Sequence, residues 1–291
     1  MDNVLTLLGT PLAEWQVSAV AEALEINDDQ IVWLAEGQAA DLFFEHIEPE
    51  EAEADARRIL EDSEVDMAAQ PVPGRRKRLL VADMESTIIE EEMLDELAEM
   101  AGLGDAIAEI TARSMSGELD FEQSLKQRVA LLEGLPLSLL EEAAELMTVN
   151  PGGRRLVQTM RQHGAYTMLV SGGFKVFTDR VHEALGFHES RANDLLHSGA
   201  LLTGSVRDPV LDRNAKLTAM REACSEHHLQ LSEAVAVGDG ANDLAMVTSA
   251  GMGVAYRGKA ILREAARFKL DHFDLTGLLY YQGYKASDIR D

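Results

Sequence analysis

A single cysteine, Cys224, stands in 291 residues, so no disulfide can form within the chain, and the reading this favours is a cytoplasmic protein. No apolar run is long enough to span a bilayer, and the start Met1-Asp2-Asn3 lacks the basic residues of a signal peptide. Positive charge is scarce too. Lysine and arginine number 26 against 51 aspartates and glutamates, a formal net charge of −25, which argues against a nucleic-acid surface and against anionic membrane. A phosphate seat in such a chain must be locally positive against a repulsive background, so each Lys or Arg near a candidate site carries weight. Internal repeats and low-complexity tracts are absent. Apolar residues, at 46%, suffice for a packed core, and the length suits one large domain with a smaller one.

What is present is organised around Arg78-Leu79-Leu80-Val81-Ala82-Asp83-Met84-Glu85-Ser86-Thr87. Leu79 to Ala82 is a short apolar run without alternation, the mark of a strand buried on both faces. It ends at Asp83. In an open parallel sheet reactive groups gather at the carboxyl ends of strands. An Asp there also serves as an ordinary turn or cap residue, so its meaning depends on the rest of the chain.

Ahead of it, Val4–Gly9, Ile31–Leu34, Ala40–Ile47 and Val65–Ala69 read as strands, and Pro11–Leu24 and Pro49–Leu60 as helices, with Pro11 in a first turn. The order β-α-β-β-α-β predicts a small ferredoxin-like unit. Ten acids against two arginines between Phe44 and Asp66 read as a solvated face. Dimerisation, giving a homodimer, ligand sensing and plain structure are all roles open to such a unit. Gln70-Pro71-Val72-Pro73-Gly74 reads as a linker, and Arg75-Arg76-Lys77-Arg78 as a charge-balancing edge of the core.

After the central strand, four helical stretches (Met93–Ala101, Gly104–Ser114, Phe121–Leu132, Ser138–Met147) predict a compact helical insert over the carboxyl end of that strand. Strand-then-helix text then resumes: helix Gly153–His163, strand Tyr166–Val170, helix Phe174–Leu185, a hairpin over Ala192–Val206, helix Asn214–His228, strand Ala234–Val237, a short helix Leu244–Ala250, strand Met252–Tyr256 and helix Ala260–Lys269. This alternation predicts a doubly wound parallel sheet.

Three of the strands end in polar loops. The first carries Asp83, Glu85, Ser86 and Thr87; the second is Ser171-Gly172-Gly173; the third is Gly238-Asp239-Gly240-Ala241-Asn242-Asp243. A hydroxyl before two glycines exposes backbone N–H groups to an anion. The aspartates supply hard oxygens for Mg²⁺, and Lys216 supplies a fixed positive charge. A carboxylate that attacks a phosphate needs a metal to mask repulsion, a cation and donors for the phosphoryl oxygens, and an acid for the leaving alcohol. Asp83 suits the nucleophile, Asp83 and Asp239 the Mg²⁺, Ser171, Gly172 and Lys216 the phosphate, Glu85 the acid and later base, and Asn242 and Asp243 the orientation of ligands or the metal's second shell. The eight histidines show no metal-ligand spacing, and Cys224 reads as a small buried hydrophobe.

DMEST, the SGG loop, Lys216 and GDGAND, in that order and at those distances, resemble the haloacid-dehalogenase (HAD) superfamily of phosphotransferases, and within it the phosphoserine phosphatases; the likeness spans roughly Arg78 to Lys269. The resemblance implies an aspartyl-phosphate on Asp83, metal ligation by Asp83, the backbone carbonyl of Glu85 and Asp239, and removal of phosphate from O-phospho-L-serine as the last step of serine biosynthesis. It also implies that Glu92 takes the substrate ammonium, that Arg128 takes its carboxylate, and that Met115 and Phe121 shield the pocket. A zwitterion does need one anion and one forked cation placed apart. The departure is Glu85, where the family usually has Asp; the carboxylate survives, one methylene longer. The fold expected is α/β: a doubly wound HAD-like core over residues 75–291 with a helical cap insert at about 88–149, and a small ACT-like unit with its linker over residues 1–74. Rival readings are another small phosphomonoester (phosphothreonine or phosphohomoserine), a phospho-accepting signalling module, and a non-turnover sensor.

Overall fold

A computed structural model of the chain describes residues 1–211 and 214–290, apart from the side chain of Met115. The first six elements are β1 (Asn3–Leu8), α1 (Glu14–Ala23), β2 (Ile31–Ala35), β3 (Ala39–Phe44), α2 (Pro49–Ile59) and β4 (Asp66–Pro71). The strands pair antiparallel in the order β2-β3-β1-β4, the ferredoxin-like arrangement. Alternate side chains of a strand point to opposite faces. Leu5 and Leu7 accordingly pack with Val17, Val20, Ala52 and Ala56 beneath the helices, while Leu8 joins the core of the large sheet. Both faces of this small sheet are buried.

Two local expectations shift. The first helix begins at Glu14, because Leu12 N–H is committed to Gly37 O at 2.8 Å, which holds Pro11 and Leu12 in a turn against the β2–β3 connection. Gln70 and Pro71 are strand, not linker; Gln70 is buried and donates to Tyr281 O at 2.7 Å. The basic cluster is locally balanced. Arg75 pairs with buried Asp41 at 2.6 Å, Arg78 with Glu233 at 3.0 Å, and Lys77 donates to Gly74 O and Ser232 O.

The rest of the chain runs β5 (Leu79–Ala82), α3 (Met93–Ala101), α4 (Gly104–Met115), α5 (Phe121–Ala130), α6 (Ser138–Ala144), α7 (Gly153–Gln162), β6 (Tyr166–Phe174), α8 (Lys175–Leu185) and β7 (Glu189–Asn193). It continues through the hairpin β8 (Leu195–Ser198) and β9 (Leu201–Val206), then α9 (Ala215–Glu226), β10 (Ala234–Gly238), α10 (Leu244–Ser249), β11 (Met252–Tyr256), α11 (Ala260–Ala265), β12 (Phe268–Leu270) and α12 (Gly277–Tyr281). Six of these strands form one parallel sheet in the order β12-β11-β10-β5-β6-β7. The strand order reverses between β5 and β10, the place where an open α/β sheet forms its ligand crevice. Asp83 follows β5 and Asp239 follows β10.

Here too there are differences from the sequence reading. The stretch 189–193 is a strand of the main sheet, and the hairpin begins only at Leu195. Residues 268–270 form the edge strand β12, since the helix before it stops at Ala265. The four-helix insert leaves and rejoins the core at one neck, where Asn150 donates to Thr87 O at 2.9 Å and Ile89 O at 3.1 Å. That neck hangs the insert over the crevice.

Candidate active site

The β5 loop is shaped by an unusual turn. Asp83 accepts from Met84 N–H at 2.7 Å, and Ser86 sits at φ +52°, a conformation costly to a non-glycine residue and typical of functional turns. The turn delivers three side chains to the crevice. Asp83 is buried, and Lys216 Nζ lies 2.6 Å from its Oδ1. Those contacts fall on Oδ1 and leave Oδ2 without a hydrogen bond among the described residues. Glu85 accepts from Met93 N–H at 3.0 Å and from Ser171 Oγ at 3.4 Å. Ser86 Oγ donates to Glu92 at 2.8 Å.

From the β10 side come Asp239 and Asp243. Oxygens of Asp83, Asp239 and Asp243 lie within 4.8 Å of one another. Asp243 gives Oδ1 to Lys216 at 2.6 Å and Oδ2 to the N–H groups of Asp239 and Gly240 at 3.1 and 3.0 Å. Both its oxygens therefore fix the loop and the lysine. Asn242 lies half-buried beside Gly240.

The charge balance is uneven. Burial opposes the ammonium of Lys216, but Asp83 and Asp243 outweigh it and hold Lys216 above the ordinary lysine range. Burial, and then Asp243, push the Asp83 carboxyl well above its ordinary value against the pull of Lys216. Three buried carboxylates with one buried lysine leave an excess of negative charge that a divalent cation would neutralise. The donor set, hard carboxylate oxygens in a tight cluster, fits such an ion.

Around this cluster stand the remaining candidates. Ser171 is buried, and its Oγ accepts from Gly173 N–H at 2.9 Å, which curls the SGG loop. A Cβ on Gly173 would come within 2.8 Å of the Glu85 carboxylate, and one on Gly172 within 3.2 Å of the Phe121 ring. The first glycine admits the longer Glu85 side chain; the second lets α5 of the insert close onto the loop. Burial first, then the charge of Glu92, raises Glu85 to about 7. Glu92 keeps a solvent-facing side, yet crowding by protein raises its carboxyl as well. Arg128 projects from α5 half-buried, with Nε unpartnered and the carboxylates of Asp95, Glu85 and Glu92 around it. Met115 ends α4, and its side chain lies outside the described residues.

The structure adds three residues to those singled out in the sequence. Lys259 Nζ lies 3.0 Å from Asp239 Oδ2; it follows β11, so the strand-end rule applied to a fourth strand would have found it. Asp95, one turn after Glu92, faces Arg128 and had no signal of its own. Asn193, at the end of β7, donates to Gly172 O at 2.8 Å. It was hidden because that polar edge strand did not read as a strand.

The sequence pattern of the haloacid dehalogenase-like hydrolases matches residues 80–248. A phosphoserine phosphatase of Streptomyces coelicolor is 35% identical over 99% of this chain and 72% of its own length. One of Archaeoglobus fulgidus is 38% identical over 76% of this chain, and the match spans 65% of that protein. Among solved structures, the unliganded probable phosphoserine phosphatase of Vibrio cholerae superposes with a TM-score of 0.82 at 30% identity, over 99% of this chain and 88% of that one. Among the described residues no helix is long and apolar enough to cross a membrane.

Proposed function

The chain belongs to the haloacid dehalogenase-like hydrolases, in their phosphoserine phosphatase branch, and we propose that it hydrolyses O-phospho-L-serine to serine and phosphate through an aspartyl-phosphate on Asp83. One observation carries the substrate: a half-buried arginine on the insert, Arg128, whose Nε lacks a partner, stands with Glu92 over the crevice. A guanidinium donor left unsatisfied inside protein is costly unless a ligand completes it, and the fork of Arg matches a carboxylate. Glu92 opposite it suits an ammonium. A phosphorylated amino acid offers both.

The residues then divide the work. Asp83 Oδ1 is held by Lys216 and Met84 N–H, which turns Oδ2 toward the phosphorus. As the bond from Oδ2 to phosphorus forms, the bond from phosphorus to the serine oxygen breaks, and Glu85 gives that oxygen its proton. A carboxyl poised near 7 serves both as this acid and, once ionised, as the base that takes a proton from water. The water oxygen then displaces Asp83 from phosphorus. Ser171 and the Gly172 backbone receive the phosphoryl oxygens. Bound at Asp83 and Asp239, Mg²⁺ would supply electrostatic neutralisation between nucleophile and phosphate. The setting in this reading is the last step of serine biosynthesis in the cytoplasm. A Glu85 poised to assist hydrolysis favours turnover over a lasting phospho-signal.

The test is phosphate release from L-phosphoserine beside L-phosphothreonine, phosphohomoserine and 4-nitrophenyl phosphate, with Mg²⁺ and with chelator. A Mg²⁺-dependent preference for L-phosphoserine that Arg128→Ala abolishes is expected. Equal use of 4-nitrophenyl phosphate by both proteins, with no amino-acid preference, would overturn the substrate assignment.

A further inference from the structure

The SGG loop is a bulge in the main sheet. Val170 pairs with Arg191 and Phe174 with Asn193, so Ser171, Gly172 and Gly173 stand opposite Ala192 alone. A bulge leaves backbone groups without their ladder partners. Here the carbonyl of Gly172 is taken by the side chain of Asn193, whose Nδ2 donates to it at 2.8 Å. The residue is 2% exposed. Its Oδ1 accepts from Leu211 N–H at 2.8 Å, so one amide holds the phosphate-seat loop and the chain segment that returns from the hairpin.

Between Asn193 and Leu211 the chain makes the β8–β9 hairpin. Arg207 N–H to Asp194 O at 2.9 Å closes its base beside Asn193. The far end of the hairpin is bonded to the insert: Gly134 N–H to Leu202 O, Leu202 N–H to Leu135 O and Leu137 N–H to Ala200 O, each at 2.9 Å. Lys126 of α5 also pairs with Asp208 at 3.1 Å. The hairpin is therefore a strap from the helical insert to the base of the phosphate seat, and Asn193 is the knot at its lower end.

We infer that Asn193 is a positioning residue that keeps the Gly172 carbonyl turned away from the bound phosphate and couples the phosphate seat to the insert that carries Phe121 and Arg128. The inference rests on the phosphatase reading above. A Gly-Gly segment has little resistance of its own to rotation of its peptide planes. If the plane turned, it would present a carbonyl oxygen to an anion. A buried amide bonded on both its atoms prevents that.

Asn193→Asp tests this directly, because a carboxylate still accepts from Leu211 N–H but cannot donate to Gly172 O. The inhibition constant for inorganic phosphate and KM for L-phosphoserine are both expected to rise, with kcat/KM falling on the order of tenfold to a hundredfold, as for a small misplacement of a seat. The second readout is amide exchange with and without beryllium trifluoride and Mg²⁺, a mimic of a phosphorylated aspartate. In the wild type the mimic should slow exchange at 171–174 and also along 195–206 and 134–137. In the variant it should slow only 171–174. Should Asn193→Asp fail to fold, Asn193→Ser carries the same expectation through its shorter reach. Unchanged phosphate affinity in the variant would overturn the positioning role and an unchanged strap response the coupling, each leaving the phosphatase reading in place. A wild type that takes up no beryllium trifluoride would overturn the phosphatase reading and the coupling with it.

Discussion

In the amino-terminal sheet, Asp41 and Asp66 are as deeply buried as Asp83, Asp239 and Asp243 in the crevice of the large sheet. The two sets are treated differently. Asp41 is closed by Thr6 Oγ1 at 2.6 Å and Arg75 at 2.6 Å. Asp66 accepts three consecutive backbone N–H groups, from Asp271, His272 and Phe273, at 2.7 to 2.9 Å. Those bonds fasten the small unit to the segment after β12. In the crevice Asp83 and Asp243 share the one buried lysine, Lys216, and the lysine beside Asp239, Lys259, is largely exposed. A buried acid whose charge is matched by neighbours is structure. A group of buried acids with charge left over is a place for a cation and for chemistry.

The sharpest way to break this contrast is to remove one acid from each set. Asp83→Asn should lower turnover by a factor on the order of 10⁴ or more, as for loss of a nucleophile, and leave thermal stability equal to or above the wild type, since it relieves a surplus of buried charge. Asp41→Asn should leave kcat intact but cost roughly 3 to 5 kcal/mol of stability, because Arg75 is then buried without its partner. Denaturant titrations and phosphate-release kinetics on both variants check the pair. Interchanged outcomes would void the contrast.

Glu85 lies between the two cases, with partners on both oxygens and yet a raised pKa. A carboxyl whose folded value, about 7, exceeds its ordinary 4.5 contributes stability that is fully present below the unfolded value and is lost as pH rises through 7. Glu85→Gln removes that loss. At pH 8 the variant should therefore gain stability relative to the wild type, on the order of 3 kcal/mol at most, and near pH 4 the gain should vanish. The same change should lower turnover of L-phosphoserine by about 10² to 10⁴, with a smaller loss on 4-nitrophenyl phosphate, whose leaving group needs little acid help. Thermal melts across pH with parallel kinetics measure both. Near-normal turnover of L-phosphoserine would remove Glu85 from its role.

The smallest effect is expected at the insert. Arg128→Lys keeps the charge but loses the fork, so KM for L-phosphoserine should rise about tenfold with kcat less affected. An unchanged KM would place the substrate carboxylate elsewhere.

The physics of each region decides how legible it is in the sequence. Apolar strands such as Leu79–Ala82 and Ala234–Val237 announce themselves because both faces are buried, and the loops after them are short enough to read. The helices of the insert are bounded by glycines and prolines. By contrast β7 is a half-exposed polar edge, and it hides Asn193 with it. Phe268–Leu270 is too short to separate from the preceding helix by periodicity. The acids at 41 and 66 give no local sign of burial, since Arg75 and the N–H groups of 271–273 that close them are distant in the chain. Lys259 was within reach of the same strand-end rule that found Asp83 and Asp239.

The most direct test of the contrast is the thermal midpoint of the wild type, Asp239→Asn and Asp41→Asn as Mg²⁺ is raised. A cation that binds only the folded crevice stabilises by mass action. The midpoint of the wild type and of Asp41→Asn should climb with Mg²⁺ by similar amounts, from different starting points, while that of Asp239→Asn stays flat. A wild-type midpoint indifferent to Mg²⁺, or a climb that survives the loss of Asp239, would contradict the assignment of the surplus charge to a cation site.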